Sequence, residues 1–261
     1  MHPRKRASMS TPAAKPTRRD ERRAQTVREI KELAMKQISA GGPDAVSLSG
    51  IVREMSMSPA AVYRYFANRD ALLADLVVDA YNELADALVA IEQATGSAHD
   101  HLIAVLHGSR TWAVEHPNAY RLIFQTSVGS GKDFAVERTV PAASRSMAVI
   151  VEALDAVTTR DNRVVPLESP ARRLPMSEAI TEWAERSGLA QYSESVLMLA
   201  VLSWTRLHGI ISLELGGHLA ATGIDAALLF ETEAATLCRQ ASALQTARPE
   251  SIEPIEPIEP K

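Results

Sequence analysis

From residue 18 onward, apolar residues recur three and four apart, the spacing that gathers side chains on one face of an α-helix, and short polar or glycine-proline breaks separate the runs. The first run spans 18–40, where Val27, Ile30, Leu33, Ala34 and Ile38 form a stripe that Gly41-Gly42-Pro43 terminates. Ser47 is placed to cap a short helix through Ile51 and Met55, and Ser56-Met57 turns the chain into a second short helix starting at Ser58. Asn68 can cap a long helix over 69–93, and further helices are expected over 99–115, 117–126, 133–157, 176–187, 193–216 and 225–244. Pro141 should kink or interrupt the helix that contains it. No segment shows the alternation of a strand, so the expected fold class is all-α: a three-helix head containing a helix-turn-helix, then a helical bundle.

The nine residues from Ser58 to Phe66 carry the most chemistry. Ser58 can accept a hydrogen bond from an orphan N–H of the helix start, and Pro59 suits the first helical position because its missing donor would be unpaired there. Ala60 and Ala61 keep the leading end slim. Tyr63, Arg64 and Tyr65 offer hydroxyl and guanidinium donors to phosphates or base edges, while Val62 and Phe66, four apart, share a buried face. Such a helix suits insertion into the major groove of DNA.

Charge supports that reading. Residues 1–69 carry 14 Lys/Arg against 6 Asp/Glu, a balance of +8, whereas residues 70–261 carry 14 against 26, a balance of −12. A basic head can displace condensed counterions at phosphates, and the acidic remainder is repelled by them. Taken singly, Arg4-Lys5-Arg6 and the arginines of 18–23 read equally well as solvated charges.

The order of residues from Gly41 to Leu73 resembles the TetR family of transcriptional regulators: a glycine break, Ala45-Val46-Ser47-Leu48, Ile51-Val52-Arg53-Glu54-Met55, the Ser58 to Phe66 string, then Asn68-Arg69-Asp70-Ala71-Leu72-Leu73. Two departures stand out. The family usually has glycine where Ser56 stands and alanine where Val52 stands, and a serine in a left-handed turn conformation costs roughly 1 kcal/mol. The resemblance implies that Ser47, Ser58, Pro59, Ala60, Ala61, Tyr63, Arg64 and Tyr65 face DNA and that Arg69 takes the family's phosphate-contacting position.

Beyond the head, residues 196–215 are hydrophobic nearly all round, more than one buried face requires. Trp204-Thr205-Arg206-Leu207-His208-Gly209 resembles the Trp and His-Gly signature of one branch of TetR-type C-terminal domains. In that family two C-terminal helices from each subunit pair across a homodimer. By resemblance these are 193–216 and 225–242 here, with Leu199, Leu202, Leu213, Leu228 and Leu229 at the interface. Two such heads read an inverted-repeat operator in double-stranded DNA. Trp112, Tyr120, Phe124, Phe134, Met147, Trp204 and His208 are candidates to line a pocket for a small, largely apolar effector; the same residues at helical spacing also read as plain core packing, and Gly209 as a point of close helix approach.

The remaining expectations are limiting ones. Domain bounds are set at 1–17 for a disordered basic arm, 18–68 for the DNA-binding head, 69–246 for the regulatory and dimerisation domain, and 247–261 for a flexible acidic tail built on three Ile-Glu-Pro repeats. The proline-containing loop at 158–175 reads either as a pocket cover or as a surface excursion. Cys238 is the only cysteine, which excludes an intrachain disulfide and favours an inert buried thiol over a redox sensor. His99 and His101, two apart on a helix, point in different directions, so no metal site is expected. No hydrolase elbow, zincin motif or phosphate-binding glycine loop occurs, which argues against an enzyme and against a cofactor. With no signal-like apolar stretch and no expected membrane span, the location expected is cytoplasmic. A ligand-released repressor is the leading reading. An activator and a constitutive DNA-binding protein without an effector are the alternatives.

Overall fold

The computed structural model describes residues 17–91, 96–124, 136–158 and 176–246. The expected arm before Thr17, the tail from 247, the loop over 159–175 and the pocket candidate Phe134 lie outside the described residues. Among those described, the structure is helical with no strand. Its elements are α1 (Arg18–Gly41), a 3-10 turn (Pro43–Ala45), α2 (Leu48–Glu54), α3 (Pro59–Tyr63), α4 (Arg69–Val89), α5 (Ala98–Glu115), α6 (Pro117–Phe124), α7 (Val136–Thr158), α8 (Ser177–Ser187), α9 (Glu194–Leu215), α10 (His218–Thr222) and α11 (Ala226–Thr246). The 3-10 turn and α10 are too short to repeat an apolar stripe, which is why periodicity did not reveal them.

The chain divides into two compact units between Leu72 and Leu73, within the first turn of α4. In the first unit, Thr17 and Asp20 form a reciprocal capping box that starts α1, and Gly42, extended with a positive φ (φ 76°, ψ 177°) that glycine tolerates, ends it, its N–H bonded to the Ile38 carbonyl at 2.8 Å. Ile30, Ala34 and Ile38 of α1 are buried together with Val46, Ile51, Val62, Phe66 and Leu72, so the head has its own core.

In the second unit α5, α7, α9 and α11 pack on one another, with Leu102, Leu106, Leu154, Ile211, Phe230 and Leu237 at the centre. α5 starts with a second capping box, from Ser97 and Asp100. At Gly108 a Cβ would stand 2.3 Å from the Cδ1 tip of Ile91, just beyond α4, so a larger residue there would require that side chain to move. Salt links from Arg138 to Asp75 and from Arg145 to Asp86 join α7 to α4. A bidentate pair from Arg110 to Glu214, 2.8 and 2.5 Å, joins α5 to α9.

Of the two effects expected of Pro141, interruption does not occur: α7 runs unbroken from Val136 to Thr158. The proline falls in the second turn on the exposed side, where its missing N–H forfeits only the bond to the Glu137 carbonyl. Long and apolar enough by composition to cross a membrane, α9 here packs against α7, α8 and α11, with Glu194, Arg206 and Glu214 each engaged by a polar partner.

Candidate DNA interface and inner cavity

The turn between α2 and α3 is built around one strained residue. Ser56 has φ 53°, the only non-glycine residue with positive φ among those described. Its N–H bonds to the Arg53 carbonyl at 3.2 Å, and the Met57 N–H reaches the Val52 carbonyl at 3.1 Å, the paired bonds of a Schellman helix ending. These bonds satisfy carbonyls that α2 would otherwise leave open, at the cost of a side chain in a region that glycine occupies freely. Ser47 caps α2, accepting from the Gly50 N–H at 3.2 Å, while its own N–H donates to Gln37 of α1 at 2.8 Å.

α3 is shorter than the Ser58 to Phe66 string suggested. Ser58 occupies the cap position, but its hydroxyl makes no cap bond. Its carbonyl already takes the Ala61 N–H at 2.9 Å in a tight first turn, which removes one of the two donors a side-chain cap would reach. Ala61 differs from Ala60: it is buried beside Val62 and Phe66, since the buried arc of so short a helix spans neighbouring positions, and little of its side chain is left to face a base edge. Ser58, Pro59, Ala60, Tyr63 and Arg64 are exposed. Tyr65 is half-buried, with the Arg23 guanidinium of α1 lying 5.1 Å over its ring.

Arg69 is engaged within the head, with a third of its side chain exposed. Nη2 donates to the Pro43 carbonyl at 2.7 Å and lies 3.0 Å from the Asp44 carboxylate, and Nε donates to the Val46 carbonyl at 3.2 Å. The side chain thus clasps the 3-10 turn to the start of α4, where Asn68 accepts the Ala71 N–H at 2.7 Å as the cap. The signal for this role was present in Pro43-Asp44-Ala45, a tight turn whose outward carbonyls need donors.

In the second unit, a cavity of about 470 Å³ opens among α4, α5, α6, α7, α8 and α9. Six candidates chosen from sequence, Trp112, Tyr120, Phe124, Met147, Trp204 and His208, all line it. Periodicity missed Tyr81, Leu84 and Leu88 of α4 and Trp183 and Arg186 of α8, which also line it. Trp183 had a visible signal, an aromatic three residues after Ile180 on a short amphipathic helix.

At one wall of the cavity, the Tyr120 hydroxyl lies within hydrogen-bond reach of His208 Nδ1 (3.0 Å), the His208 carbonyl (3.2 Å) and Ser212 Oγ (3.1 Å). The Phe124 ring stands 4.0 Å from the imidazole centroid, and the Trp204 ring 5.8 Å. Loss of water around the imidazole pulls its pKa from 6.5 to about 4, so His208 is neutral at physiological pH. Desolvation likewise raises the Tyr120 hydroxyl above its ordinary value. The wall is therefore uncharged.

Of the expected interface leucines, Leu202, Leu213 and Leu228 are exposed and Leu229 is half-buried. Leu199 is instead buried within the chain at 6 % exposure, because it falls on the face of α9 that packs into the bundle. Among the described residues Gly209 brings no helix close: a Cβ there would meet nothing within 4 Å. Cys238 is buried, and burial raises its thiol pKa. Among the described residues no group of three or more His, Cys, Asp or Glu side chains is arranged to hold a metal.

These features agree with what the chain is similar to. Residues 30–76 match the family described as bacterial regulatory proteins, tetR family, and residues 102–237, just over half of the chain, match the tetracyclin repressor-like C-terminal domain. The chain is 31% identical over 220 residues to the HTH-type transcriptional regulator Rv1816 of Mycobacterium tuberculosis, covering 83% of this chain and 92% of that one; the regulator Mb1846 of Mycobacterium bovis matches to the same extent. The crystal structure of the protein SCO4313 superposes with a TM-score of 0.66 at 35% identity, over 85% of this chain and 98% of the other. The head with its helix-turn-helix, the helical second unit and these similarities together place the chain in the TetR family of transcriptional regulators.

Proposed function

We propose that the protein is a cytoplasmic repressor that binds an inverted-repeat operator as a homodimer and leaves it when a small, largely apolar effector enters the cavity. The observation that carries this reading is the course of α4. Arg69, at its first residue, clasps the 3-10 turn of the head, and Tyr81, Leu84 and Leu88 of the same unbroken helix form part of the cavity wall. An occupant that displaces those side chains displaces the helix on which the head is mounted. A ligand that prefers the non-binding state by roughly 3 kcal/mol shifts occupancy about a hundredfold.

Dimerisation is supported by the outer face of α9, where Leu202, Thr205, Gly209 and Leu213 are all exposed. Their spacing repeats every three to four residues, as a helix–helix seam requires, and Gly209 leaves room for close approach. Only 39% of the most apolar stretch of α9 is buried within the chain, so much of that surface is left for a second subunit. Across such a dimer, two α3 helices present Tyr63 and Arg64 to successive major grooves. Repression then needs nothing beyond occupancy of a promoter.

The test is a DNA fragment enriched by the full-length protein from its own genome, titrated by fluorescence anisotropy with and without a compound that raises the melting temperature. Release of the fragment by that compound is expected. Compounds that stabilise the protein yet leave DNA affinity unchanged would argue for a constitutive binder.

A further inference from the structure

The apolar cavity adjoins a second recess of about 430 Å³ between α7 and α8, and Ser144, Arg186 and Ser187 line both. The two differ in chemistry. The first is walled by aromatic and aliphatic side chains, and Arg186 is its single formal charge; the second adds Arg145, Glu152 and Gln191. Arg145 is committed to Asp86 at 2.5 Å. Arg186 is held loosely: its carboxylate partner among the described residues is Glu182, one turn back on α8 at 3.7 Å, and the two side chains are 67% and 70% exposed. A cation with spare hydrogen-bonding capacity therefore stands where an apolar chamber meets a polar one.

We propose that the occupant of the cavity is an amphiphile with an apolar tail and an anionic head, the tail against Trp112, Tyr120 and Phe124 and the head at Arg186. This rests on the reading of the cavity as the effector site and adds the chemical class of its ligand. The inner wall rejects charge, since no carboxylate and no second cation lines the cavity. A cationic head would find Arg186 at the junction and no carboxylate in the apolar chamber. A neutral apolar molecule would fill the chamber and leave Arg186 unused. Glu152, which also lines the recess, repels an anionic head and so favours its placement at Arg186.

The chain reports on its own occupant, because it contains three tryptophans, and Trp112, Trp183 and Trp204 all line the cavity. Full-length protein is titrated, below micelle concentrations, with decanoate, decanol and decylammonium, which share one tail. Decanoate should bind about fivefold tighter than decanol at low salt, a margin that narrows as salt rises, and decylammonium should bind weakest. Arg186→Gln should bring decanoate level with decanol and leave decanol unchanged. Equal binding of decanoate and decanol to the wild type, or a carboxylate preference that survives Arg186→Gln, overturns the anionic head while leaving an apolar effector site standing. No fluorescence response to any of the three overturns both.

Discussion

The Tyr120 hydroxyl and Nδ1 of His208, 88 residues apart in sequence, meet at 3.0 Å and join α6 to α9 at the wall of the cavity. The contact holds an imidazole that folding keeps neutral, and this gives stability a defined pH dependence. As pH falls below 6.5, the unfolded chain takes up a proton at His208 that the folded chain refuses until about pH 4. This residue's contribution therefore declines across that window, by up to roughly 3 kcal/mol, and is level below it. Urea midpoints of the wild type and His208→Phe, compared at intervals from pH 7 to pH 4, should shift progressively in favour of the variant. A constant difference across the range would show that the ring is not held neutral.

Relieving the left-handed residue in the helix-turn-helix should stabilise the head. Ser56→Gly is expected to gain about 0.5–1 kcal/mol, the steric penalty removed less the extra entropy of glycine in the unfolded chain. Hydrogen exchange of amides in α2 and α3 would register the gain as slower opening. A loss of protection would mean that the serine side chain contributes more than its backbone costs.

The role of Arg69 separates by measurement from that of a phosphate contact. Arg69→Ala should destabilise the head by about 2 kcal/mol, since it removes bonds from a charged donor to two carbonyls and a carboxylate, and should unprotect the amides of residues 45–48. The salt dependence of DNA binding by the folded variant should stay as in the wild type. A slope reduced by about one, with protection unchanged, would return Arg69 to the phosphate backbone.

For the subunit interface, Leu202→Glu, Leu213→Glu and Leu228→Glu place a charge on exposed positions and should shift sedimentation toward monomer with the fold intact. Leu199→Glu should instead unfold the second unit, because its side chain is enclosed by its own subunit. Dimers that persist in all three exposed variants would move the interface elsewhere.

Much of this was legible in the chain. Apolar spacing located the long helices, because each buries a full stripe, and the aromatic side chains, Met147 and His208 along them marked six residues that line the cavity. What stayed hidden depends on which way a single residue faces. Leu199 and Leu202 look alike in an apolar run, yet only the packing of α9 decides that one is enclosed and the other exposed. Ala61 was read with Ala60 because both are small, although one step along a helix turns the side chain by about 100°. The partners of Arg69 within the head leave no trace in its motif, because only folding brings the carbonyls of Pro43 and Val46 within its reach. Arg186 had no local signal at all, since the two recesses that meet at its side chain are created by the packing of α7 and α8.

Sequence-specific DNA binding is proposed to rest on Tyr63 and Arg64, exposed at the end of α3. The most direct test measures binding of the full-length protein to a fragment selected from its own genome, against a shuffled fragment, over a range of salt concentrations, for the wild type, Tyr63→Ala and Arg64→Ala. The wild type should prefer its fragment with a steep salt dependence, and each substitution should weaken that specific binding by about 1–3 kcal/mol. Absence of any preferred fragment, or wild-type affinity in both variants, would show that this helix end does not read DNA.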